Sequence, residues 1–268
     1  MVHTMPEPLT YAFMQRALIA GVLLSAVAGY FSPFIVQRRM AFLGSGLAHA
    51  AFGGVALGIV LQFDPVLVAL PFTVLIGIGI VLIREKTELA GDTAIGILFA
   101  VAMALGILLL SRTQQYAGDV MTYLFGSILA VQSADLVWAG GLAALTLVCA
   151  RWWPVWAYAT VDERLALVDR LRVKRIELAL VVTVAIAIVV SAKIIGILLV
   201  SAFLVLPGAT ARLVARSFAG MTVWSCVFSI GGTVAGLLGS YYTDLPSGPA
   251  IVLLQAGVFF VVAATTRR

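Results

Sequence analysis

The chain has 268 residues, 62% of them hydrophobic and only 11% charged, with a mean hydropathy of +1.11 and a net charge of +5. Soluble domains carry about a quarter charged residues, so this composition excludes a water-soluble globule and points to a multi-span membrane protein. A spanning β-barrel would show short alternating segments, and the long continuous apolar runs exclude it.

The opening, "MVHTMPEPLT", lacks a basic n-region and a small-residue cleavage site, and reads as a retained terminus rather than a signal peptide. A helical span needs roughly 20 apolar residues to cross about 30 Å of hydrocarbon. Nine spans are predicted, over 12–36, 40–61, 65–83, 93–111, 134–150, 176–192, 194–211, 220–240 and 249–265. The pair either side of Lys193 also reads as one broken element. Nine spans of about 20 residues use roughly 180, which leaves connectors and no soluble catalytic domain.

Under this count fourteen basic residues share one side: Arg38, Arg39, Arg84, Lys86, Arg151, Arg164, Arg170, Arg172, Lys174, Arg175, Arg212, Arg216, Arg267 and Arg268. Only Arg16, Arg112 and Lys193 fall on the other. The positive-inside rule then predicts an outside N-terminus and a cytoplasmic C-terminus. The positive charge belongs to loops facing anionic lipid, and no nucleic-acid partner is expected.

The second span opens with "MAFLGSGLAHAAFGGVALG", residues 40–58, which holds His49, one of only two histidines in the chain. Ser45 and His49 are four residues apart and share a helical face. His49 lies about ten residues, some 15 Å, from Arg39, near the bilayer midplane. An ionisable group at that depth is costly unless it faces protein or a water-filled path, and neutral imidazole is a common metal ligand. An interhelical hydrogen bond is the alternative role. Gly44, Gly46, Gly53, Gly54 and Gly58 make the same stretch a packing seam; Gly54 with Gly58, and Gly232 with Gly236, have GxxxG spacing.

Further along, 112–133 is too interrupted for a span and reads as a partly re-entrant outer element. Cys149 and Cys226 fall inside predicted spans without CxxC spacing, so neither a disulfide nor a thiolate metal site is expected. The segment 151–175 begins with Trp152, Trp153 and Trp156, suited to the headgroup belt. From Asp162 it reads as a short amphipathic helix with Leu165, Val168 and Leu171 at three-residue steps. Such a helix lies on the bilayer or docks a cytoplasmic partner. In "PGATARLVARSFAG", 207–220, Pro207-Gly208 loosens the helix end, and Arg212 and Arg216 share one face. "YYTDLPSGPA", 241–250, is a tight outer turn.

Five blocks taken together resemble the permease subunits of zinc, manganese and iron ABC importers, the ABC-3 family. They are "RRMAFLGSGLAHAAFGGVALG", "DTAIGILFAVAMALGILLLS" (92–111), "YLFGSILAV" (123–131), "KIIGILLVSAFLVLPGATAR" (193–212) and "DLPSGPAIVL" (244–253). They occur in the family's order and cover about 37–262. The resemblance implies an all-α, polytopic permease of eight or nine spans in the plasma membrane of a prokaryote, working as a homodimer. It also implies two cytoplasmic ATP-binding subunits, an extracytoplasmic metal-binding protein, and a transported divalent ion, zinc foremost, with manganese and iron as the others. No permanently bound cofactor is implied. The residues at 209–220 would form the main coupling helix and 162–172 a supporting contact, with Arg212, Arg216, Leu165 and Val168 facing the ATPase. His49 and Ser45 would touch the metal.

None of the three lysines completes GxxxxGK[ST], so ATP hydrolysis falls to another polypeptide. This sequence departs from the family pattern at two places. Family members commonly carry Asp four residues before the span-2 histidine, where this chain has Ser45, a poor ligand beside a carboxylate. Arg170 stands where the family often has Gly. None of Asp64, Asp92, Asp119 and Asp244 can be placed beside His49 from sequence. An ion-coupled secondary metal transporter would need more buried acids and repeated halves, and a non-metal-specific ABC permease is the other alternative. An intramembrane enzyme lacks HExxH and GxSxG here. Since a histidine must be neutral to bind metal, acid weakens any such site.

Overall fold

The computed structural model describes residues 10–87, 91–111 and 123–266. In chain order the helices are α1 (Ala12–Gln37), α2 (Ala41–Leu61), α3 (Pro65–Thr87), α4 (Gly91–Ser111), α5 (Ser133–Ala150), α6 (Trp153–Val161), α7 (Glu163–Val168), α8 (Val173–Ile195), α9 (Ile197–Val214), α10 (Phe218–Thr243) and α11 (Ser247–Thr265). All but α6 and α7 are long and apolar enough to cross a membrane, nine in total among the described residues. No strand occurs among those residues. The molecule is an all-α polytopic membrane protein, as expected, and each expected span is present.

Burial separates core from periphery. Over its most apolar window α2 is 78% buried, whereas α11 is only 11% buried. α1 and α8 are also largely enclosed, and α9 touches α1, α2, α10 and α11. α2 packs on α3, α4, α8 and α9, while α1 packs on α5, α9 and α10. Glycine permits these contacts, because an added Cβ would enter the neighbouring backbone. At Gly54 it would lie 2.7 Å from Ala69 Cα of α3, and at Gly58 2.7 Å from Pro65 Cα. Gly53 meets Ala102 O of α4. The second GxxxG pair seats α11 on α10: Gly232 faces Gln255 and Gly236 faces Ile251.

Helices α8 and α9 are separate elements joined by Gly196 alone, at φ +99°. Gly126, at φ +67°, sits against it; a Cβ on Gly196 would lie 2.9 Å from Gly126 N. The chain at 123–132 therefore lies against the bundle, anchored by buried Ile128, beside Gly21 of α1, and Val131. The remainder of the expected re-entrant element, 112–122, and Asp119 with it, lies outside the described residues.

Three expectations need correction. The stretch 209–220 is not one helix. Pro207-Gly208 does not end α9, which continues to Val214, and the break comes at Ala215, extended at ψ 142°. Ser217 then caps α10 by accepting the Gly220 N–H at 3.1 Å. The helix expected over 162–172 spans only Glu163–Val168. Asp162 caps it through the Leu165 N–H at 2.9 Å, and Arg170 turns left-handed at φ +58° directly after it. Trp156 leaves the expected headgroup belt: it is buried edge-on against Phe34 because α6 folds back onto α1, while Trp152 stays exposed.

Candidate metal path and docking surface

His49 is the ninth residue of α2, about 12 Å from its start and close to its middle. Its Nδ1 lies 2.8 Å from the backbone carbonyl of Ser45. A carbonyl only accepts, so Nδ1 is the donor in this contact and Nε2 takes no part in it. The Ser45 backbone thus orients the ring and leaves one nitrogen for a ligand. Phe99 of α4 stands edge-on to the imidazole at 5.1 Å and 88°.

Along α2, from Leu43 to Val60, only Ser45, His49, Leu57 and Val60 are not buried. With Phe42 they share one helical face, a stripe interrupted between His49 and Leu57, where Phe52 and Gly53 are buried against α4. Phe99 of α4 borders the stripe on one side. On the other, α9 comes close where a Cβ on Gly44 would lie 3.8 Å from Ser201 Cα. His49 and Ser45 are therefore brought together on an open seam, neither sealed inside the bundle nor far apart.

The acids fall elsewhere. Asp64 caps α3, accepting the Val66 and Leu67 N–H groups at 2.9 and 3.1 Å. Asp244 closes α10 in a left-handed conformation. Asp92 lies seven residues, about 10 Å, along α4 from Phe99. It lines a cleft of about 350 Å³ with Arg38, Arg39, Met40, Ile80, Arg84 and Ile95. Ile95 packs on Gly46, so this cleft opens at the arginine-rich end of the α2–α4 seam. Among the described residues no three of His, Cys, Asp and Glu cluster as a metal cage.

Ion pairs at both ends escaped the sequence reading. At the arginine-rich end Arg84 pairs with Glu177 at 2.5 Å and Lys174 pairs with Glu85, fastening α3 to α8. Arg38 Nε donates to Thr160 Oγ1 at 2.9 Å, joining α1 to α6. Burial pulls the Arg38 pKa down, opposed by the nearby Glu177 and Glu163 carboxylates. Tyr158 donates to Asp169 at 2.5 Å, and this hydrogen bond raises the phenol above its ordinary range. At the opposite end the buried carboxylate of Asp135 accepts from Lys193 at 2.6 Å and from the Gln132 N–H at 3.0 Å. An acid inside a predicted span and a lysine between two spans were the available signals; nothing in the sequence joined them across 58 positions.

The two arginine-rich loops converge. Val161, Arg212, Ala215, Arg216, Ser217 and Phe218 line a groove of about 460 Å³. α7 begins immediately beyond Val161, with Leu165 53% and Val168 75% exposed. The apolar side chains at 165 and 168 thus stand unburied on the segment that follows Val161 out of the groove.

Residues 10–266 match the sequence model described as "ABC 3 transport family". The high-affinity zinc uptake system membrane protein ZnuB of Haemophilus influenzae is 32% identical over 244 residues, covering 91% of this chain and 94% of that protein. The manganese transport system membrane protein MntC of Listeria monocytogenes is 32% identical over 253 residues, covering 94% and 90%. Among solved structures, PsaBC from Streptococcus pneumoniae in complex with Fab superposes with a TM-score of 0.84 at 32% identity, covering 95% of this chain and 92% of that one.

Proposed function

The chain belongs to the ABC 3 transport family, and on that premise we propose how it moves its cargo. It is a transport subunit rather than an enzyme, a permease whose ATP is hydrolysed by a separate subunit. The cargo is a divalent transition-metal ion: zinc first, given an imidazole ligand and the zinc-uptake relative, with manganese or iron as the alternatives.

Two copies of the chain form the path in the plasma membrane, with the N-terminus outside, as the 14-to-3 bias of basic residues directs. An extracytoplasmic binding protein delivers the ion to the outer end. His49 Nε2 then gives it a transient ligand, with the Ser45 hydroxyl alongside and Phe99 as an apolar wall. A lone imidazole holds the ion weakly, and weak binding suits a conduction step, in which the ion must leave as readily as it enters. The ATP-binding subunit docks on the groove at Val161 and Arg212–Phe218 and on the exposed Leu165 and Val168. Its closure on ATP opens the path inward.

The observation that carries this reading is the position of His49, midway along α2 and only partly buried on the face it shares with Ser45. The variant His49→Ala should lose at least about tenfold in metal uptake, the scale of losing a ligand contact. Co-purification of the ATP-binding subunit should not change. Uptake by this variant at the wild-type rate would remove His49 from the path.

A further inference from the structure

Ser32 lies where α1 crosses α9, and it is fully buried, at 0% exposure. The Gly208 N–H donates to Ser32 Oγ at 2.8 Å, and the Val205 carbonyl lies 3.4 Å from the same oxygen. A Cβ on Gly208 would come within 2.7 Å of Ser32 C and 2.9 Å of Ser32 O, so the helices touch backbone to backbone. Each carries a proline here, Pro33 in α1 and Pro207 in α9. Proline removes a helical N–H and displaces the carbonyl four residues earlier, which makes both helices bendable at this level.

The position of this soft point along α9 gives it meaning. On one side of it Ser201 borders the seam that holds Ser45 and His49. On the other, four residues beyond Gly208, Arg212 enters the docking groove. A push on the docking turn therefore reaches the seam through α9 only if the helix does not simply flex at Pro207. One turn away on α1, a Cβ on Gly29 would lie 2.6 Å from Cys226 Cα of α10. Both helices that flank the docking turn are thus pinned to α1 within three residues, at Gly29 and at Ser32.

We infer that the Ser32–Gly208 crossing is the joint that carries movement of the docking turn to the metal seam, with Ser32 as the positioning residue. This rests on the permease reading above. The Ser32 hydroxyl fixes the bend of α9 to α1, so that α1, α9 and α10 shift as one body. Without it the Gly208 N–H loses its side-chain acceptor and α9 takes up the push as a local bend.

The test uses the complete complex, with the ATP-binding subunit and the binding protein, reconstituted in lipid vesicles. Uptake of Zn²⁺, and in further series Mn²⁺ and Fe²⁺, is measured in the same samples as ATP hydrolysis. The wild-type complex is measured first; failure to move any of the three ions would overturn the proposed metal transport itself and is recognised before any variant is compared. Ser32→Ala should keep its ATP hydrolysis while metal moved per ATP falls about fivefold to tenfold, the scale of one lost buried hydrogen bond. Ser32→Cys, similar in size but a weaker acceptor, should fall between the two. Equal ratios in all three would overturn the joint. So would uptake and hydrolysis falling in proportion, which is what loss of folded complex alone produces. If Ser32→Ala does not assemble, Ser32→Cys decides against wild type, and an equal ratio overturns the proposal.

Discussion

A hydroxyl at position 45, one helical turn from His49, leaves the imidazole without a carboxylate on its own helix face. The Ser45 backbone still orients the ring, so position 45 keeps its steering role and lacks only the charge. Ser45→Asp should therefore tighten the hold on the ion and slow its departure, lowering the half-saturating metal concentration and the maximal uptake rate, each by about tenfold. A metal titration of initial uptake rates separates the two changes, and an unaltered curve would show that residue 45 does not face the ion. At this scale the sequence disclosed His49, because a lone titratable side chain at mid-span stands out against an apolar background. It disclosed neither Ser32 nor the Asp135–Lys193 pair as contacts. Their meaning depends on partners 176 and 58 positions away, and one-dimensional spacing carries no trace of such pairings.

Among the elements, α2 is held by the absence of side chains as much as by their presence. Gly53, Gly54 and Gly58 bring α3 and α4 to backbone contact, and that closeness confines the open side of α2 to a narrow stripe. Gly54→Val should separate α2 from α3 and cost about 1–3 kcal/mol, as overpacking does in well-packed interiors. The readout is a lower unfolding temperature in detergent, with Gly239→Val as the control because nothing lies within 4 Å of that position. Span existence was legible from hydropathy alone. The fate of the residues after Pro207 was not: a proline-glycine pair ordinarily weakens a helix, but here a serine from another helix supports it and α9 runs on to Val214. The break at Ala215 owes more to the capping hydroxyl of Ser217 than to the proline.

Across the whole molecule, charge and apolar exposure divide the two ends. The arginine-rich end gathers ion pairs, clefts and the docking groove, while the other end is tied by Asp135–Lys193 and the Gly126–Gly196 crossing. Val168 is 75% exposed, so Val168→Asp should leave the permease folded and weaken its hold on the ATP-binding subunit about tenfold, as expected for an apolar anchor at an interface centre. Titrating the purified partners against each other measures this, and undiminished affinity would place the contact elsewhere. The convergence of Val161 with 212–218 was legible only as two separate loops, since the folding back of α6 onto α1 is what joins them. The single-glycine link between α8 and α9 bears on how the protein is made. The two helices must enter the bilayer as a hairpin with no slack at its tip, and the notch at Gly196 is filled by Phe125 and Gly126, which leave the ribosome some seventy residues earlier. The early-made segment has to wait until that hairpin arrives, so this fastening joins distant parts of the nascent chain, and an epitope tag at residue 196 would block it.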